Sequence, residues 1–94
     1  MIRVVSLVRF TDEGMRRLSD LSDVVAHVQE TVAEVDGTLE QAWATAGAYD
    51  AVAVLSFPDL EAEFRARNAV YKMGLLRAEH MPAIPIGEAV NLVQ

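Results

Sequence analysis

Trp43-Ala44-Thr45-Ala46-Gly47-Ala48-Tyr49-Asp50-Ala51-Val52-Ala53-Val54 is the stretch on which the fold turns. Small and β-branched residues alternate on both sides of a Gly-containing turn, the pattern of a β-hairpin. A two-residue turn at Ala48-Tyr49 pairs Thr45 with Val52, Trp43 with Val54, Ala44 with Ala53 and Ala46 with Ala51. One face of the hairpin is then almost all alanine. Such a face either lets a helix approach closely or leaves a hollow, and the two outcomes imply different functions.

Upstream of the hairpin lies a helix pattern. Leu21, Val24, Val25, Val28, Val32 and Val35 fall within a band about 100° wide at helical spacing, with Gln29, Glu30 and Glu34 opposite. The helix starts near Ser19 or Ser22, and Asp36-Gly37 ends it, with Gly37 as the expected left-handed cap. Before it, Ile2 to Phe10 is apolar on both parities, as in a central strand covered on both sides. Ile2, Val4, Val8 and Phe10 share one face; Val5 and Leu7 share the other. Thr11 or Asp12 caps a short helical turn that runs through Leu18.

Downstream, Phe57-Pro58-Asp59 closes a strand and opens a helix with Asp59 as N-cap. Glu61 and Glu63 stand in its first turn, where the helix dipole favours acid. One stripe of this helix is Ala62, Ala66, Ala69, Val70 and Met73. A second is Leu60, Phe64 and Tyr71, flanked by Arg67 and Asn68. Gly74 ends the helix, Leu75 to Met81 is a fourth strand, and Pro82 and Pro85 stop its pairing. Ile86 to Val93 is a short final helix or extended tail. The order β-α-β-β-α-β defines an α+β, ferredoxin-like split βαβ domain over residues 1–94, with a four-stranded antiparallel sheet and both helices on one face. The other face has no cover in a monomer, and pairing two such sheets gives a dimeric α/β barrel.

Composition narrows the function. The 94 residues make one domain, and 52% of them are hydrophobic. That exceeds what one small core needs, so a homodimer with a two-fold axis is expected. Eight basic against fourteen acidic residues, a formal charge of −6, argue against nucleic acid and anionic membranes. Without cysteine there is no disulfide, thiol catalysis or thiolate metal site. There is no signal-like segment and no apolar run near the roughly 20 residues of a membrane span, so a cytoplasmic protein is expected. No Gly-rich phosphate loop, nucleophile elbow or dinucleotide fingerprint occurs, and no cofactor is expected. His27 and His80 have no metal-ligand spacing, and no metal is expected.

The run from Val4 to Gly14 (VVSLVRFTDEG), followed by WATAGAYDAVAVLSFPD from Trp43, resembles the GYD-domain family. The naming turn is matched by Gly47-Ala48-Tyr49-Asp50, and a family-like run after the first strand by Phe10-Thr11-Asp12-Glu13-Gly14. The resemblance covers residues 3 to 84. It implies a ferredoxin-like, dimeric α/β-barrel fold and no particular activity. His80-Met81-Pro82 departs from the Thr-Leu-Arg-like end of the family's fourth strand.

Three residues are candidates for chemistry. His80 titrates near neutrality and, on a strand beside Leu76 and Ala78, points into a pocket beneath the helices. The competing reading is a satisfied, half-buried histidine. Tyr49 and Asp50 put a phenol and a carboxylate at the mouth of that pocket; alternatively Asp50 accepts backbone N–H bonds and Tyr49 covers the sheet end. Trp43, Thr45, Phe64, Arg67 and Tyr71 are candidate ligand contacts, with core, dimer interface or solvated helix edge as the alternatives. The leading expectation is a domain that binds an apolar or aromatic small molecule between helices and sheet. A cofactor-free cyclase, isomerase or monooxygenase using His80 as acid/base stands second, by analogy of fold. A structural oligomerisation module stands third.

Overall fold

A computed structural model describes residues 1–93 of the chain. Its elements are β1 (Ile2–Phe10), α1 (Asp12–Arg16), a 3-10 turn (Leu18–Asp20), α2 (Leu21–Ala33), β2 (Thr38–Ala44), β3 (Ala51–Phe57), α3 (Leu60–Tyr71), β4 (Leu76–Pro82) and α4 (Ile86–Leu92). The four strands form one antiparallel sheet in the order β2-β3-β1-β4. This is the ferredoxin-like arrangement, with α2 and α3 on one face. The two central strands are the ones whose sequences are apolar on both parities.

The core lies between that face and the two helices. Val4, Ala53, Leu55 and Phe57 from the sheet meet Val32 of α2 and Ala62 and Ala66 of α3. The alanines on α3 let the helix come close to the strands, so the bulk there is supplied by Phe57. α3 starts where Asp59 accepts a bond from Ala62 N at 2.8 Å. α1 starts at Thr11, whose Oγ1 accepts from Gly14 N and donates to Gly74 O at 2.7 Å.

Three local expectations are corrected. The hairpin register is two residues off: Ala44 faces Ala51, Trp43 faces Val52 and Ala42 faces Ala53. The loop is longer than two residues, closed by Thr45 N donating to Asp50 O at 3.0 Å and Thr45 Oγ1 donating to Tyr49 O at 2.7 Å. A two-residue hairpin turn demands positive φ at its first central residue or at both. Ala48 and Tyr49 avoid it, and the loop is built around Gly47 at φ 134° instead. From Gln41 to Ala44 the slip is even, so side chains keep their faces, but a bulge between Leu39 and Gln41 turns Leu39 to the helix side, where it packs on the core.

After α2 the left-handed residue is Asp36, at φ 61°, not Gly37. Asp tolerates that conformation through its short polar side chain. Gly37 is needed for space: a Cβ there would lie 2.8 Å from Phe57 Cδ1 and 2.9 Å from Val32 Cγ1. Pro82, expected to stop pairing, sits within β4 opposite Val4, and Ala83 N still donates to Arg3 O. β4 is an edge strand, where a missing N–H costs no ladder bond.

Candidate functional site

Between α2, α3 and the sheet lies a half-enclosed cavity of about 70 Å³. Its walls come from both sheet and helices: Val8, Leu39 and Ala53 from the strands, Val28 and Val32 from α2, Ala66 and Val70 from α3. Four lining residues are polar: Ser6, Arg67, Tyr71 and His80. Ser6 of β1 stands directly opposite His80 of β4. The Tyr71 hydroxyl is occupied. It donates to Ala78 O at 2.6 Å and accepts from Ala78 N at 3.2 Å, closing the outer edge of β4.

His80 is held by a group outside the lining. Its Nδ1 is 3.0 Å from Glu63 Oε2, and the two side chains are only 11% and 6% exposed. A carboxylate can only accept, so Nδ1 carries the proton and donates it. The neutral ring is thereby fixed as the tautomer whose Nε2 is a free base. Arg67 Nε lies 3.2 Å from the same oxygen, an ion pair by distance. Its N–H is not aimed at that oxygen, however, and it is buried with no hydrogen-bond partner among the described residues. The Arg67 guanidinium carbon sits 4.6 Å from the centre of the Phe64 ring. α3 supplies Glu63 and Arg67 one helical turn apart, and β4 brings His80 up beside them.

Burial lowers the pKa of His80 below its ordinary value of 6.5, and the Arg67 charge adds to this; the hydrogen bond and charge of Glu63 oppose it without reversing it. The unfolded chain therefore binds a proton more readily than the folded one. The neutral-His80 contribution is fully present above pH 6.5 and is lost as pH falls from there through the lower, folded pKa. Urea unfolding from pH 7.5 down to pH 5 is expected to show falling stability, with a shallower slope in His80→Gln. Equal slopes in the two proteins would contradict it.

The other candidate residues lie elsewhere. Tyr49, expected with His80, is on the opposite side of the sheet. Its hydroxyl bonds Glu79 Oε2 at 3.2 Å, and Arg9 stacks on its ring at 4.8 Å. The longer loop carries it there. Asp50 does not reach the cavity: its Oδ2 accepts from Phe10 N at 2.8 Å, and its N donates to Val8 O, so it ties the loop to β1. Trp43 is half exposed on the same uncovered face as Tyr49, and Thr45 closes the hairpin loop. Phe64 is half exposed beneath Arg67. Of the eight candidates, His80, Arg67 and Tyr71 line the cavity. Glu63 was not among them. Its signal was its place on the apolar stripe, three residues before Ala66 and seven before Val70, a buried face of α3. Among the described residues no group of three or more His, Asp or Glu side chains is arranged to hold a metal, and no helix is long and apolar enough to cross a membrane.

Solved structures share the fold. The crystal structure of FFRP-DM1 superposes with a TM-score of 0.63 at 16% identity, over 89% of this chain and 100% of that one. TTHA0845 from Thermus thermophilus gives 0.58 at 21% identity, over 90% and 95%. An uncharacterized NIPSNAP domain protein from Burkholderia xenovorans gives 0.56 at 12% identity, over 90% and 94%. At these identities the likeness concerns fold alone. No curated protein matches the chain. The family model of the GYD domain matches residues 4–93, nearly the whole chain, and the protein belongs to the GYD domain family.

Proposed function

We propose that this chain binds a small apolar or aromatic molecule in the cavity between α2, α3 and the sheet. One observation carries the reading: the Glu63–His80–Arg67 cluster stands at a hollow whose other lining is apolar except for Ser6 and the occupied Tyr71 hydroxyl. Burying a carboxylate, an imidazole and part of a guanidinium costs several kcal/mol before their attraction is counted. Apolar side chains of the same volume would serve a merely structural domain as well or better. Few polar groups converging in an apolar lining is the general form of a small-molecule site. About 70 Å³ is well below the roughly 300–1,000 Å³ of drug-sized sites, so the ligand, or the part of it inside, is no larger than a single ring. Titrating methyl-labelled protein with phenol is expected to shift the methyl signals of Val8, Val28, Leu39 and Val70 selectively. No shift at millimolar phenol would remove the reading.

The fixed tautomer of His80 supports a second reading, a cofactor-free enzyme of the cyclase, isomerase or monooxygenase type in which Nε2 moves a proton. His80→Ala would then abolish turnover without changing the fold.

The same chain is proposed to work as a homodimer. The sheet face away from the helices carries Val5, Leu7, Val52 and Val54, with Trp43 and Met81 half exposed beside them. Arg3, Arg9 and Arg77 share that face with Glu40 and Glu79, so a two-fold axis can set arginine against glutamate. Sedimentation at micromolar concentration should give twice the 10.3 kDa of the chain, and Trp43→Glu should return it to that mass. A wild-type species at the single-chain mass would refute the dimer.

A further inference from the structure

From the cavity wall we infer that the preferred ligand carries a phenol or enol hydroxyl, whose oxygen accepts from Arg67 Nε–H and whose proton is donated to His80 Nε2. The inference rests on the ligand-binding reading above and specifies what that ligand is. Arg67 Nε is a buried donor with no hydrogen-bond acceptor among the described residues, Glu63 Oε2 at 3.2 Å lying off its N–H direction. A donor in that state costs about 1–3 kcal/mol, which any ligand oxygen reaching it recovers. His80 Nε2 is the complementary group: with Nδ1 committed to Glu63, it can only accept while the ring is neutral. Arg67 Nε–H as donor and His80 Nε2 as acceptor, with the Ser6 hydroxyl able to do either, call for a group that both accepts and donates, and a hydroxyl does so with a single oxygen.

Charge selects the kind of hydroxyl. Glu63 and Arg67 cancel, and neutral His80 adds nothing, so a fully charged ligand would be buried uncompensated. The other elements bring no further charge: α2 presents Val28 and Val32, and β1 presents Ser6 and Val8. An aromatic or enolic O–H is neutral in solution, yet its oxygen polarises toward the anion when it accepts from a guanidinium N–H, which makes a charge-assisted bond. An aliphatic alcohol gains less, because its oxygen bears charge less readily. Apart from Ser6 and the occupied Tyr71 hydroxyl the rest of the lining is apolar, which suits one edge of the ring that bears the hydroxyl, the remainder standing in the open mouth. Burial keeps His80 neutral near pH 7, as the acceptor role requires.

The test compares 4-fluorophenol with its methyl ether, 4-fluoroanisole, by fluorine NMR and calorimetry on the full chain at pH 7.5. The phenol is expected to bind roughly 2- to 10-fold tighter, the worth of the hydrogen bond to neutral His80 Nε2 that the ether cannot make. Arg67→Met, checked for native fold by circular dichroism, should weaken both compounds, because either oxygen accepts from Nε–H, and the phenol more, because its oxygen polarises further; phenol affinity unchanged in this variant would overturn the Arg67 contact. If both compounds bind equally to the wild type, the hydroxyl assignment is wrong and the apolar pocket stands. If neither binds, the ligand-binding reading falls with it.

Discussion

Phe57→Ala is expected to lower stability by about 3–5 kcal/mol, the usual cost of emptying a buried aromatic position. Phe57 is 1% exposed, at the end of β3, and is the largest of the fully buried side chains. Its surroundings cannot collapse into the space it leaves. Behind it, Gly37 brings backbone to within contact distance of the ring, and Val32 is fixed on α2. On α3 the facing residues are Ala62 and Ala66, whose side chains have nothing to extend. A domain of this size has about 5–14 kcal/mol in all. The midpoint of thermal unfolding should therefore drop by roughly 20 °C, at about 4–8 °C per kcal/mol. Phe64→Ala is the control. That ring is half exposed and touches Arg67 from outside, so its loss should cost no more than about 1 kcal/mol. Similar losses in the two variants, measured by urea unfolding with unchanged m, would mean that the core is not where Phe57 lies.

How much of this was legible follows from which features are periodic. Strand and helix order, the faces of β1 and the Asp59 cap all rest on spacing or on a single local residue, and these were readable from the chain. The hairpin register was not, because it depends on whether the turn closes around Ala48-Tyr49 or around Gly47. That is a choice of backbone conformation that alternation leaves open. The same choice decides where Tyr49 goes, since a loop side chain has no period to assign it a face. His80 was legible as a cavity residue because it continues the Leu76-Ala78 face of an alternating strand. Spacing does not single out its partner on α3, because an acid in the first turn of a helix already has an explanation in the dipole. The correct reading of Glu63 needed the opposite question, namely why a carboxylate stands on the stripe of Ala66 and Val70. The contact of Glu63 with His80 spans 17 residues and two elements, and only their packing brings it about.

Gly14→Ala is expected to be as damaging as losing the Phe57 ring, for the opposite reason. A Cβ at position 14 would stand 2.0 Å from the carbonyl oxygen of Leu75, 3.0 Å from its carbon and 3.2 Å from Phe10 Cβ. The obstacle is backbone, so no rotamer change relieves it. That backbone is also held where it is: Leu75 O accepts from Thr11 N at 3.0 Å, and Gly74 O accepts from Thr11 Oγ1 at 2.7 Å. To admit one methyl group, α1 must move off the α3–β4 connection, and both bonds stretch or break. Overpacking strain of about 1–3 kcal/mol and two lost hydrogen bonds of about 1 kcal/mol each sum to roughly 3–5 kcal/mol. Gly87→Ala provides the contrast. Gly87 lies inside α4 with open space around it, so alanine there should be neutral or stabilise by up to about 1 kcal/mol through helix propensity. The displacement should also reach the cavity, because the Gly74-Leu75 segment leads directly into β4, and β4 carries Ala78 and His80. Gly14→Ala protein that remains folded is therefore expected to bind phenol more weakly than wild type, although position 14 touches no part of the site. Wild-type stability and affinity in this variant would show that α1 is free to shift on the sheet, contrary to the close approach at Leu75.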